Sequence, residues 1–333
     1  MLSFGALKTL FFATLSRSQQ PEHRLIQYSL GIPRHIILTT SLFLLCNPQT
    51  SFAKQISFQM VPNQEKTTFH YQWDTASKEE LQVSFSLSNE LLHKEEQYPI
   101  IVPMKQVLQV QRDAVNSWAN KQAGVSIQAH LGANNTISIE VSGSDQALMS
   151  RKYQEALQIR EQAEQQFLAA NGYQLIQSEL LPNFEFLIQE YAKALAPIAN
   201  KLQQPGDNLD AYAKRALSFV QNIPYDHSQK NLFRRPISIL KNNKGDCDSK
   251  TVLYLALIKA AYPNVPVAVV DITDHAFVLI GSRELDSKME VEINGQIWVP
   301  IEPVGPGLSV IGELRPESLQ DFQSGNFRLF IAE

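Results

Sequence analysis

From Val252 to Ile258 the chain runs Val-Leu-Tyr-Leu-Ala-Leu-Ile without a charged side chain, inside a longer stretch, Cys247–Ala261, that reads as one apolar helix. A helix that is apolar on every side has no face to give to water, so other elements must enclose it. The flanking sequence supplies them. Val265–Val270, His275–Ile280, Lys288–Ile293 and Gln296–Ile301 read as four short strands, and Asn294-Gly295 is a hairpin turn between the last two. Upstream, Leu209–Ile223 is helical, with Leu209, Tyr212, Ala216, Phe219, Val220 and Ile223 on one side. Pro236–Leu240 is a short helical turn with proline at an early position. A buried helix followed by an antiparallel sheet is an α+β layout.

The region before this core has a different texture. Thr67–Trp73 places Phe69, Tyr71 and Trp73 on one face, and Leu81–Leu87 does the same with Leu81, Val83, Phe85 and Leu87, the period of half-buried strands. Met104–Gln122 carries Met104, Val107, Leu108, Val115 and Trp118 at helical spacing, ending near Gly124. Val125–Leu131 and Thr136–Ser142 alternate around Gly132-Ala133-Asn134-Asn135 and form a candidate hairpin. Ser144–Asn171 reads as a long helix with a charged, solvated face, closed by Gly172. Phe184–Asn200 is a further helix. Lys201–Asp207 contains Pro205-Gly206 in polar surroundings and reads as a linker. The expected organisation is a signal region at 1–53, a separate α+β domain at 54–206 and a C-terminal domain at 207–333.

The first fifty residues point to export. Arg34 and His35 precede an apolar run, Ile36–Cys46, and Ser51-Phe52-Ala53 ends in small residues at the positions a signal peptidase reads, so cleavage is expected after Ala53. The run is shorter than the roughly 20 residues needed to span a bilayer. Residues 1–33 are long for a signal peptide, and the translation start could lie further along. Cleavage would leave 280 residues, shift the formal charge from −4 to −7 and remove Cys46, one of only two cysteines. The mature chain would then be exported to the periplasm or beyond the cell, with no stable membrane span. An acidic chain offers no basic surface for nucleic acid. Cys247 would stand alone, and an oxidising compartment leaves few unpaired thiols without a role.

Cys247 sits in Lys244-Gly245-Asp246-Cys247-Asp248-Ser249-Lys250, where a glycine turn delivers it to the first turn of the apolar helix. Free N–H groups and the positive end of the helix dipole favour a thiolate there, so a lowered thiol pKa is expected. The same N–H groups could hold an oxyanion. The alternative is a small core residue. Asp246 reads as the helix cap. Of seven histidines only His227 and His275 lie in this region. His275 opens an apolar strand and is the candidate base, whereas His227 lies in a polar turn. Glu302, in Ile301-Glu302-Pro303 at a strand end, is the candidate to orient the imidazole; a surface glutamate is the alternative. Asn242, Asn243 and Tyr225 are further candidate oxyanion donors. No pattern for a metal, nucleotide or other cofactor is present.

Gly-Asp-Cys-Asp at 245–248, His275-Ala276-Phe277 28 positions after the cysteine, and Ile301-Glu302-Pro303 a further 27 on resemble the transglutaminase-like superfamily, of the bacterial cysteine peptidase type. The resemblance covers Leu209–Val304. It implies a papain-like C-terminal fold and a Cys247–His275–Glu302 triad. It also implies attack on a protein or peptide carboxamide through a thioester, with hydrolysis favoured over transamidation. Phe277 stands where the family carries Trp, and Glu302, one methylene longer, where it carries Asp. The rival expectation is a non-catalytic interaction module that keeps the fold. A disulfide-tethered complex through Cys247 is a third.

Overall fold

The computed structural model describes residues 53–133, 135–228, 232–305 and 307–332. The signal region, apart from Ala53, lies outside them. The described residues open with three antiparallel strands, β1 (Lys54–Pro62), β2 (Lys66–Asp74) and β3 (Glu80–Ser88), in sequential order. The alternation read from β2 and β3 is present in register, with Phe69 opposite Phe85 and Tyr71 opposite Val83. One face of β2 is buried at Phe69, Tyr71 and Trp73, each burial stabilising by about 1.5–3 kcal/mol. β1 is an edge strand with Ile56, Met60 and Val61 exposed. Ser88 then caps α1 (Asn89–Glu96), its hydroxyl accepting from the Leu91 N–H at 3.2 Å.

At Ile100 the chain leaves this unit and builds a second compact one, residues 101–183. It contains α2 (Met104–Ala119), the hairpin β4 (Val125–Gly132) and β5 (Thr136–Gly143), α3 (Gln146–Ala170), and a small hairpin β6 (Tyr173–Ile176) and β7 (Glu179–Pro182). Asp145 caps α3 through the N–H groups of Ala147 and Leu148. Along its length α3 buries Met149, Ala156 and Ala163, a stripe one heptad in period, and leaves its charged face to water. Met149 and Ala156 join Val115, Ile127, Ala129, Ile139 and Val141 in one core. The β6–β7 hairpin was not legible in the sequence. Its turn places Gln177 and Ser178 at φ 50° and 67°, the left-handed geometry that Asn or Gly usually signals.

From Phe184 the chain returns to the first unit. It continues with α4 (Phe184–Leu202), α5 (Leu209–Asn222), α6 (Pro236–Asn242), α7 (Cys247–Ala261), β8 (Val267–Ile272) and β9 (His275–Ile280). β10 (Val291–Ile293), β11 (Gln296–Ile301), α8 (Pro316–Ser324) and β12 (Arg328–Ala332) complete it. A five-stranded antiparallel sheet runs in the order β10-β11-β9-β8-β12. The coarse class is therefore α+β with antiparallel sheets. Every residue of α7 from Ser249 to Lys259 is buried, as the apolar run required, and α4, α5, α6 and β9 pack around it. β8 and β9 are buried on both faces. Ala268, Val270, Ile272, Phe277 and Leu279 join Phe322 of α8 in one cluster, while the alternate residues Val267, Val269, Val278 and Ile280 are wholly enclosed as well. Strands covered on both sides lose the alternation that would mark them.

The two compact units are not the domains expected at 54–206 and 207–333. The first strands belong with the C-terminal half, because β2 sends its large side chains there. The Tyr71 hydroxyl donates to the Leu240 carbonyl at 2.7 Å, the Trp73 indole N–H donates to Ser218 Oγ at 2.9 Å, and the Tyr71 ring meets Phe219 edge-on. Lys201–Asp207 is not a boundary either. Arg215 clips the segment at both ends, donating to the Leu202 carbonyl and pairing with Asp207, and α4 and α5 lie in one core. Proline and glycine there mark a turn between packed helices. No described helix is long and apolar enough to cross a membrane.

Candidate active site

The loop before Cys247 is held from three sides. Asn243, at φ 51°, ends α6 in the left-handed region, and its side-chain amide exchanges two hydrogen bonds with that of Gln55, at 2.9 and 2.6 Å. Gly245 donates to the Pro224 carbonyl and accepts from the Asp226 N–H, so Tyr225 runs beside it as a one-residue parallel bridge. A Cβ on Gly245 would lie 3.3 Å from both Ile239 and Ser249, which is the close approach that glycine permits. Asp246 then caps α7, accepting from the Ser249 N–H at 3.0 Å. Cys247 is the first residue of the helix and is half-buried.

Below the loop, Asp226 anchors the turn that carries Tyr225. Burial alone would raise its carboxyl, but hydrogen bonds from Ser228 and Arg234 hold it far below the usual carboxylate range. Arg234 Nε lies 2.8 Å from it, and the Arg234 backbone N–H donates to the wholly buried Ser249 hydroxyl on α7.

His275 follows Asp274, which takes φ 57° in the turn between β8 and β9; aspartate tolerates that region better than most residues. The ring faces Glu302. Its Nε2 lies 3.0 and 2.9 Å from the two carboxylate oxygens, and Glu302 is wholly buried. A carboxylate accepts, so Nε2 carries hydrogen and the other ring nitrogen, Nδ1, is left as the acceptor in the neutral ring. The surface-glutamate alternative is thereby set aside. The backbone at Glu302 is fixed too. Gln221 Nε2 donates to its carbonyl at 2.8 Å and to that of Ser309 at 2.9 Å.

The backbone N–H of Ala276, next to His275, reaches the Cys247 sulfur, as does that of Asp248. The Tyr225 hydroxyl lies near the sulfur, and burial, followed by the charges of Cys247 and Asp246, pushes that phenol up to about 12. No hydrogen bond joins Cys247 to His275; the sulfur's side-chain neighbour at 3.9 Å is Asp248 Oδ1. The lowered thiol pKa expected from the sequence is not what this environment produces. Burial pushes the Cys247 thiol well above its ordinary value, the negative charges of Asp248 and Asp246 add to that, and the two N–H groups oppose it without winning. Burial also raises the Asp248 carboxyl, with Asp246 and Asp271 adding to the effect. The helix dipole was legible in the sequence, but its competition with two carboxylates and desolvation was not.

Of the further donors considered, Tyr225 is brought to the sulfur, whereas Asn242 bonds to Ser238 and Asn243 to Gln55. His227 is exposed, its ring 4.6 Å from that of Tyr225. A cleft of about 500 Å³ is lined by Tyr225, His227, the turn Ile272–His275, Val304, Gly305, Arg315 and three residues of α8, Glu317, Ser318 and Asp321.

Lys250 was not singled out from the sequence, although a lysine entering an apolar helix was the available signal. It is wholly buried, and its amine makes one long hydrogen bond, 3.4 Å, to the Gln221 carbonyl. Burial, and then the like charge of Arg315, lowers its pKa to about 7. Gln221 thus links the cysteine helix to the backbone of Glu302. Arg315 is itself committed, donating to the carbonyls of Val304 and Gly305. Among the described residues no cluster of histidine, cysteine, aspartate and glutamate could hold a metal ion.

No family model, curated protein or solved structure matches the chain. A class for this site therefore has to come from its chemistry: a thiol at a helix start, a carboxylate-bound imidazole on the adjoining strand, and donors around the sulfur.

Proposed function

We propose that the protein is an exported thiol-dependent acyl-transfer enzyme of the transglutaminase-like, papain-like kind, hydrolysing peptide or amide bonds through Cys247, His275 and Glu302. The observation that carries this reading is the buried Glu302 carboxylate gripping Nε2 of His275, whose neighbour Ala276 meets the sulfur of Cys247. A buried carboxylate with no task would cost several kcal/mol. Here it fixes the tautomer and stabilises the imidazolium that forms during the reaction.

Burial raises the Cys247 thiol, so proton transfer accompanies attack. Nδ1 of His275 takes the Sγ proton as sulfur bonds to the substrate carbonyl carbon. The oxyanion is met by the Tyr225 hydroxyl and the neighbouring N–H groups. The C–N bond then breaks, the leaving amine takes the proton from the imidazolium, and a thioester remains. Water gives its proton to the imidazole, attacks the thioester and releases the acid and the free thiol. An amine in place of water would give transamidation.

The test is hydrolysis of a peptide-amide library, with mass spectrometry of the trapped thioester. Cys247→Ala and His275→Ala should abolish turnover, and Glu302→Gln should lower kcat by about 10²–10⁴ with KM little changed. Turnover that survives Cys247→Ala would overturn the reading. A second reading, a non-catalytic interaction module, draws on the raised thiol and the absence of a Cys247–His275 hydrogen bond. It predicts no thioester with any peptide.

A further inference from the structure

We propose that the cleft beside His275 selects a cationic side chain, lysine or arginine, of a peptide substrate, with Asp321, Glu317, Asp274 and Ser318 as the specificity-determining residues. This rests on the acyl-transfer reading of the site and names its substrate class. The first observation is the state of the carboxylates. Asp274 enters from the β8–β9 turn and Glu317 and Asp321 from α8, all lining one cleft. None of the three has an ion-pair or side-chain hydrogen-bond partner among the described residues. The same unit pairs its carboxylates elsewhere, as Asp207 with Arg215, Asp226 with Arg234 and Asp271 with Arg328.

The cleft's own cation, Arg315, is held by the carbonyls of Val304 and Gly305 and sets one positive charge against three carboxylates, so the lining stays net negative. The second observation is independent of charge. Ser318 lines the same cleft, is only 2% exposed, and its hydroxyl makes no hydrogen bond within the described residues. The residue is packed in on its other sides, so the hydroxyl is free to meet a polar group that enters the cleft. Ser318 and Asp321 are three positions apart on α8, hence on one face. A hydroxyl acceptor beside unpaired carboxylates matches an ammonium or guanidinium group, which has donors only. An anionic side chain would meet three carboxylates against the single guanidinium of Arg315.

The test measures binding separately from catalysis. Fluorescein-labelled peptides carrying a single Lys, Arg, Ala or Glu are titrated by anisotropy into full-length Cys247→Ala protein, with n-butylammonium as competitor. Lys and Arg peptides should bind at least tenfold more tightly than the Glu peptide. The Glu317→Gln, Asp321→Asn double variant should lose about fivefold of that preference, as expected for removing two charges at roughly 8–10 Å. The preference should also shrink in high salt. Ser318→Ala should weaken the Lys peptide and leave the Ala peptide unchanged.

Equal binding of the Ala or Glu peptides, or no binding by any of them, overturns the proposal. Butylammonium binding as tightly as the Lys peptide overturns the peptide source and points to a free amine. If Lys peptides bind but wild-type enzyme forms no thioester, the specificity stands and the hydrolytic reading fails. If neutral peptides are hydrolysed and the charge variants change nothing, the hydrolytic reading stands and the specificity fails.

Discussion

At Cys247 two carboxylates and burial outweigh the helix dipole, and this sets how the thiol should behave in solution. Because its pKa is raised, alkylation by iodoacetamide should be slower at pH 8 than for a free thiol and should keep rising above pH 9. At pH 9, above the value of about 8 to which burial raises the Asp248 carboxyl, Asp248→Asn removes a negative charge beside the sulfur and should speed the reaction by roughly 3–10-fold. A rate already at its plateau at pH 6 would show that the thiolate is the resting form. Lys250 makes a stability prediction. Its folded pKa, about 7, lies below the unfolded value near 10.4. Between these the unfolded chain binds the extra proton, so stability rises with pH from about 7 to 10 and is flat below 7. Lys250→Met should remove that slope and raise stability at pH 7 by roughly 2–4 kcal/mol, read from urea midpoints at several pH values. An unchanged slope would mean that the amine stays charged in the fold.

The site is assembled where the starts and ends of elements meet: the first residue of α7, the first of β9 and the residue after β11. Such positions depend on how closely the elements approach. Gly305, between β11 and α8, is the clearest case, since a Cβ there would lie 2.5 Å from the Gln221 carbonyl at the end of α5. Gly305→Ala should therefore cost about 1–3 kcal/mol, and the shift it forces on Gln221 should loosen the hold on Glu302. The check is a lower melting temperature together with a fall in kcat exceeding that in KM. A variant as stable and as active as wild type would mean that the loop yields freely.

Across the whole chain, the segment 101–183 begins and ends within a few residues of two elements of the other unit, α1 and α4, and carries its own core of Val115, Ile127, Ala129, Ile139, Val141, Met149 and Ala156. A unit of that size with a single apolar core is near the lower limit for independent folding but above it. The isolated fragment should melt cooperatively, with the circular dichroism of a helix-rich protein. A broad, non-cooperative melt would show that it needs the rest of the chain.

The sequence by itself determined the elements around the candidate site and the chemical types there, but not β1, α1, the β6–β7 hairpin, α8 or β12. The apolar run 252–258 demanded enclosure, the alternation of β2 and β3 fixed their buried faces, and the Gly-Asp-Cys turn with its two downstream motifs marked Cys247, His275 and Glu302. These signals are local, set by the period of side chains along one element or by the residues of one turn. Only the tertiary structure decided that residues 53–100 pack with the C-terminal half, because the contacts of Tyr71 with Leu240 and of Trp73 with Ser218 bridge well over a hundred positions. It alone placed Gln221 between Lys250 and Glu302. It also set the Cys247 thiol above its ordinary range, because desolvation and Coulomb energy depend on distances through space that no local pattern encodes.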